Sequence, residues 1–182
     1  MIRPLASFTA TLEDAAQLVG ASLKGASLSF TGITHIDSEV EPGDLFIAVP
    51  GARVHGATFI DSAMKRGAVA VLTDEAGLAY CTGVPALVVG DVRTAGALLA
   101  ASLYRYPTRD LVSIGITGTN GKTTVSTLLY QIFEAVGRDT GLIGTVETRI
   151  GSEGLKSSRT TPEASDLQAL AAVMRERHMR HL

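Results

Sequence analysis

The chain has 182 residues, 46% of them apolar and 19% charged, with a formal net charge of −2. That length holds one large domain or two small ones, and the apolar share is enough for a packed core. The charge argues against a general nucleic-acid binder, which carries a marked basic excess, and the single cysteine, Cys81, excludes an internal disulfide and fits a reducing compartment.

In chain order, the N-terminus carries Glu13 and Asp14 and lacks a continuous apolar stretch, so it makes a poor signal peptide. No run approaches the length a membrane-spanning helix needs. A cytoplasmic protein with no membrane contact is the expectation. Short apolar runs rich in β-branched residues then alternate with helical patterns, which favours an α/β architecture. The predicted strands are Gly32–Ile36, Leu45–Val49, Ala68–Leu72 and Leu87–Val89. The predicted helices are Leu12–Val19, Thr58–Arg66 and Val92–Tyr104. A proline and two charges interrupt the pattern over Tyr106–Asp110, and a domain boundary is expected near residue 108. Beyond it, Leu111–Thr117 reads as an apolar strand. It leads through a Gly-rich turn into a helix on which Val125, Leu128, Leu129, Ile132, Phe133 and Val136 form one stripe. Gly137 is placed to end that helix. A further strand is expected over Gly141–Thr145 and a helix from about Ser165 to Arg177. Met179–Leu182 looks like the approach to another strand. The fold class expected is a small mixed-sheet α/β domain, residues 1–107, followed over 108–182 by the beginning of a P-loop-type parallel α/β domain. About 75 residues are too few for an ordinary doubly wound domain, so uncovered faces and edges are expected there.

Gly118-Thr119-Asn120-Gly121-Lys122-Thr123-Thr124 lies between a predicted strand and a predicted helix, the context in which a Gly-rich loop cradles phosphates. The glycines allow a tight turn that brings N–H groups close to a phosphate, and the helix start adds its positive dipole end. Lys122 would reach the terminal phosphates and Thr123 would place its hydroxyl on Mg²⁺. Ile116 stands where the common pattern has its first glycine, so the match is to a shorter variant, G-x-x-G-K-T. The bland alternative is a strand-helix turn with a solvated lysine.

Thr117–Thr124, T-G-T-N-G-K-T-T, resembles the ATP-binding loop of the Mur ligase family. The resemblance runs along nearly the whole chain. Asp37-Ser38 with Glu41-Pro42-Gly43-Asp44-Leu45-Phe46-Ile47-Ala48 is similar to one family segment. Pro50-Gly51, Gly56, Phe59-Ile60 and Gly67–Val71 continue it. Gly141–Thr145 and Thr160-Thr161-Pro162 resemble the MurE branch more than its relatives. This implies an ATP-dependent amide-bond-forming ligase of peptidoglycan synthesis. ATP would phosphorylate the γ-carboxylate of D-glutamate in UDP-N-acetylmuramoyl-L-alanyl-D-glutamate, and the amine of meso-diaminopimelate or L-lysine would attack the acyl phosphate. By the same resemblance, Lys122 acts in catalysis. Residues Gly118, Thr119, Asn120, Gly121, Lys122, Thr123 and Thr124 hold the nucleotide. Ser38, Ala52, Arg53 and Val54 contact the uridine diphosphate part, and Asn120, Thr160 and Thr161 contact nucleotide or muramoyl-peptide. Competing with these roles, Ser38 fits an Asx-type turn after Asp37, and Thr161 fits a helix cap with Pro162 at the first helical position.

Two positions depart from the family pattern. Glu39 replaces a frequent arginine, and His55 stands where aspartate is common. His178 and His181 read as solvated terminal residues rather than a metal pair, and Cys81 as a buried small residue rather than a nucleophile. A non-catalytic UDP-sugar or nucleotide-binding module and an unrelated P-loop ATPase are the competing functions. The second leaves Pro42–Ala48 and Thr160–Pro162 unexplained. The resemblance further implies a Mg²⁺-binding glutamate, a carbamylated lysine and an amino-acid-binding domain, none of which falls within residues 1–182. This chain alone is therefore expected to catalyse no ligation, and substrate-dependent ADP release, followed by a coupled assay, would contradict that.

Overall fold

The structure is a computed structural model that describes residues 2–156 and 162–182. Contacts divide it into two compact units, one of residues Ser7–Arg105 and one of Ile2–Ala6 with Tyr106–Leu182.

The first unit opens with β1 (Ala10–Thr11), α1 (Leu12–Val19), β2 (Ser22–Lys24) and β3 (Ser29–Phe30). Helix α1 has the bounds its sequence predicts because Thr11 caps it, its side chain accepting from the Asp14 N–H, and Gly20 closes it in the left-handed conformation. Next come β4 (Gly32–Thr34), a 3₁₀ turn at Asp37–Glu39, and β5 (Asp44–Ile47). A second 3₁₀ turn, Gly56–Phe59, runs into α2 (Ile60–Lys65), followed by β6 (Ala70–Thr73), β7 (Ala86–Val88) and α3 (Val92–Leu103). The predicted helix over Thr58–Arg66 is thus part 3₁₀ and part α. His55 is the reason: its ring accepts from the Ala57 N–H and starts a tighter turn before the α-helix begins.

The main sheet has the order β2-β7-β6-β5-β4. Strands β4, β5, β6 and β7 run parallel, and β2 adds an antiparallel edge. Every residue of β5, β6 and β7 is buried, the pattern of parallel strands covered on both faces. On one face Phe46 and Val71 pack with Ile60 and Ala63 of α2 and with Cys81. On the other, Gly96 of α3 lies directly against Ile47. Parallel strands with helices packed on both faces make this the mixed α/β sheet expected from the sequence.

The second unit contains α4 (Lys122–Ala135), β8 (Gly141–Ile143), β9 (Glu147–Ile150), β10 (Glu153–Lys156) and α5 (Ala164–Glu176). The predicted strand 111–117 pairs only over its first part. Val112 bridges His181 in parallel, its N–H donating to Arg180 O at 2.9 Å, and the Ile114 N–H donates to Leu182 O at 2.7 Å. On its other side His181 bridges Thr140, also in parallel, and its carbonyl accepts from the Gly141 N–H at 2.8 Å. Residues 180–182 therefore lie between two parallel neighbours, with β8, β9 and β10 continuing antiparallel. The core beneath gathers Leu111, Ile150, Val173 and Met174, with Ile2 and Leu170 packed against it. The α4 stripe is divided. Leu129 and Phe133 are partly buried, whereas Val125, Leu128, Ile132 and Val136 are 45–66% exposed.

Two expectations are corrected here. Helix α5 begins at Ala164 with Glu163 in the capping position, so Pro162 precedes the helix rather than opening it. His181 is not solvated. Sheet pairing on both sides buries it to 9% exposure and stacks its ring on Phe133 at 4.9 Å.

Cys81 is buried, its thiol donates weakly to Gly77 O, and burial pushes its pKa up. Alkylation of the native chain at neutral pH is therefore expected to be much slower than that of the denatured chain, which a thiol-reagent time course with and without denaturant measures.

Candidate functional site

The parallel pairing of β4, β5 and β6 brings their C-terminal ends to one edge of the sheet, the position at which open α/β sheets carry ligands. Ser38 lies in the 3₁₀ turn just beyond β4, with its side chain exposed. Asp37 beside it is engaged, accepting from Ser62 Oγ of α2 at 2.7 Å, so the turn is anchored while Ser38 stays available. Ala52, Arg53 and Val54 lie beyond the neighbouring strand β5, in a loop closed by an antiparallel bridge between Pro50 and His55, and all three are exposed. The sequence-predicted uridine residues thus stand on adjacent strand ends.

A third strand end adds residues that sequence reasoning missed. Asp74 follows β6 directly, and its Oδ1 accepts from the Gly77 N–H at 2.8 Å and meets His55 Nε2 at 3.0 Å. His55 Nδ1 accepts from the Ala57 N–H at 3.0 Å. Burial opposes the charge on Asp74, but the Gly77 N–H and the His55 ring outweigh it and hold the carboxyl below its ordinary value of 3.8. The available signal was the position of Asp74 two residues beyond the predicted strand Ala68–Leu72.

In the second unit, residues 118–121 form an exposed loop leading into α4, whose first residues, Lys122, Thr123 and Thr124, are exposed as well. Gly121 sits at φ +80°, a conformation that leaves few alternatives to glycine, and α4 begins there without a side-chain cap. The first-turn N–H groups of Lys122, Thr123 and Thr124 have no intrahelical acceptors, which is the arrangement that receives an anion. Lys122 folds over the loop, its Nζ donating to Gly118 O at 2.6 Å and Thr119 O at 3.3 Å. Beside it opens a cavity of about 440 Å³ whose lining includes Lys122, Thr123, Ser126 and Gly144. No cluster of three or more His, Cys, Asp or Glu among the described residues could hold a metal, so a cation here would depend on the Thr123 hydroxyl and on ligand oxygens. Thr160 and Thr161 lie outside the described residues. No helix among the described residues is long and apolar enough to cross a membrane.

An α/β sheet with loops gathered at one edge, and a separate glycine-lysine loop at a helix start, have the arrangement found in nucleotide-binding α/β proteins. Comparison with known proteins narrows the class. Residues 29–103 match the Mur ligase family, catalytic domain, and residues 116–182 match the Mur ligase middle domain. The chain belongs to the Mur ligase family. It is 53% identical over 177 residues to UDP-N-acetylmuramoyl-L-alanyl-D-glutamate--2,6-diaminopimelate ligase of Streptomyces coelicolor, covering 96% of this chain and 35% of that one. A solved structure of a ligase of the same name is similar with TM-score 0.65 and 27% identity, over 84% of this chain and 31% of that one. The MurF ligase of Thermotoga maritima in complex with ADP shares the fold, with TM-score 0.50 and 23% identity over 78% of this chain and 28% of that one. The chain spans about a third of the length of its curated relatives. An unrelated P-loop ATPase is not favoured, because the likeness covers the first unit as well as the loop.

Because the folded pKa of Asp74 lies below 3.8, its stabilising contribution is complete above that pH and is lost as pH falls through the lower folded value. Asp74→Asn is expected to flatten the acid limb of a Tm-against-pH curve taken from about pH 5 to about pH 2. An unchanged acid limb would contradict it.

Proposed function

We propose that this chain supplies the UDP-muramoyl-binding and ATP-binding portions of a MurE-type ligase. The ligase adds a diamino acid to UDP-N-acetylmuramoyl-L-alanyl-D-glutamate in peptidoglycan synthesis, in the cytoplasm and without membrane or nucleic-acid partners. The uncapped start of α4 behind Gly121 and Lys122 carries the reading, because it offers backbone donors and a cation where phosphoryl charge must be neutralised. The first unit, residues 1–107 by the sequence boundary, is assigned to the UDP-muramoyl substrate, with Ser38, Ala52, Arg53 and Val54 at its uridine diphosphate part. The second, 108–182, is assigned to ATP, and Asn120 with Thr160 and Thr161 to nucleotide or muramoyl-peptide.

A carboxylate is a poor acceptor for an amine until a leaving group is installed. The γ-phosphoryl of ATP passes to the glutamate γ-carboxylate and ADP departs. The amine then attacks the acyl carbon, loses a proton and expels inorganic phosphate. Lys122 moves from its loop carbonyls to the β- and γ-phosphates and offsets their charge. The loop N–H groups orient the same oxygens. Mg²⁺, held by the Thr123 hydroxyl and phosphate oxygens, would add charge neutralisation. The amine is that of meso-diaminopimelate or L-lysine, and the name of the Streptomyces relative supports the former.

Calorimetric titration of the 182-residue chain tests both sites. Lys122→Ala is expected to weaken Mg-ATP binding by about 10- to 100-fold, the worth of a charged hydrogen bond, and to leave UDP binding unchanged. Ser38→Ala is expected to weaken UDP and the muramoyl ligand while leaving ATP unchanged. ATP binding with no response to UDP or the muramoyl ligand would contradict the reading.

A further inference from the structure

The loop assigned to the uridine diphosphate part has four exposed residues, 51–54, between two fixed ends, and the structure shows what fixes the second end. His55 pairs with Pro50 through the backbone and reaches away from the loop with its ring, whose side chain is only 22% exposed. The Ala57 N–H points into Nδ1, so that nitrogen carries no proton and the neutral ring bears its hydrogen on Nε2. Nε2–H then donates to Asp74 Oδ1, which is itself held by the Gly77 N–H. The fit around the ring is close. A Cβ placed on Gly77 would fall 2.8 Å from His55 Cε1 and 2.0 Å from Thr73 Oγ1, so only glycine leaves room for the imidazole at that point. These contacts tie the loop after β5 to the turn after β6, its neighbour in the sheet.

We infer that His55 is a positioning residue: fixed as its Nε2–H tautomer between the Ala57 N–H and the Asp74 carboxylate, it sets the 51–54 loop for the uridine diphosphate part without itself holding the ligand. The inference rests on the assignment of that loop to the substrate. An aspartate could accept from the Ala57 N–H, but it would bring a second negative charge towards Asp74. His55 and Asp74 are therefore a matched pair, and truncating either side chain breaks the tie.

The test combines nitrogen-resolved NMR of the His55 ring with calorimetric titration of the 182-residue chain by UDP-N-acetylmuramoyl-L-alanyl-D-glutamate. Wild type is expected to show the Nε2–H tautomer. His55→Ala and Asp74→Ala are expected to weaken binding on the order of tenfold, as loss of a supporting hydrogen-bond partner does. Asp74→Asn keeps an oxygen acceptor for both donors and is expected to restore most of the affinity, a rescue that a purely electrostatic or bulk-stability role would not give. Thermal melts of each variant establish that it is folded. An Nδ1–H tautomer in wild type would overturn the inference, as would equal losses in Asp74→Asn and Asp74→Ala. If Ser38→Ala weakens binding while His55→Ala binds as tightly as wild type, the positioning role fails and the site assignment stands. If wild type shows no binding, or Ser38→Ala has no effect, the site assignment fails and the positioning role falls with it.

Discussion

Parallel pairing of β4, β5 and β6 forces three successive chain segments to leave the sheet in the same direction, and the first unit's candidate chemistry follows from that. Burial on both faces holds the strands in place, since β5 and β6 have no exposed residue through which the sheet could slip towards solvent. The turns at Asp37–Glu39, 48–55 and 74–77 are consequently neighbours, although Asp74 lies 19 residues from His55 in sequence. Side-chain bonds then link each turn to the next element: Asp37 to Ser62 of α2, and His55 to Asp74. A rigid frame thus presents a short row of exposed residues.

The second unit presents its candidate site differently. Its loop and the first turn of α4 are exposed from Thr117 to Thr124, and the helix start has backbone donors rather than a capping side chain. Lys122 satisfies its charge on loop carbonyls, an arrangement that phosphate oxygens can replace because they are stronger acceptors. Binding at such a loop costs little disruption of packed structure. The two sites therefore call for different tests: substitutions of supporting residues in the first unit, and of the contacting lysine in the second.

Sequence reasoning found the elements whose local chemistry and tertiary role agree. The bounds of α1 were legible from Thr11 and Gly20, and β5 and β6 from continuous apolar runs that need cover on both faces. Strands β2 and β3, three and two residues long, carry too little pattern to register. The β9–β10 hairpin did carry a signal. Thr148 and Ile150 are buried in alternation with their neighbours, and Gly151-Ser152 forms the two-residue turn, with Gly151 at φ +58°. His181 was misjudged because its burial comes from pairing with residues about 40 and 70 positions earlier, which no local pattern reports. In the candidate site, Ser38 and the 118–124 loop were legible through motif and context. The role of His55 was not, since it depends on a partner supplied by a different strand.

We propose that the chain holds two separate ligand sites, one in each unit. The most direct test is a backbone-amide NMR titration of the 182-residue chain, with UDP-N-acetylmuramoyl-L-alanyl-D-glutamate and Mg-ATP added separately. The muramoyl ligand is expected to shift amides of residues 37–39 and 51–57, and Mg-ATP those of 118–124. Both ligands shifting the same unit, or the muramoyl ligand leaving residues 37–57 untouched, would contradict it.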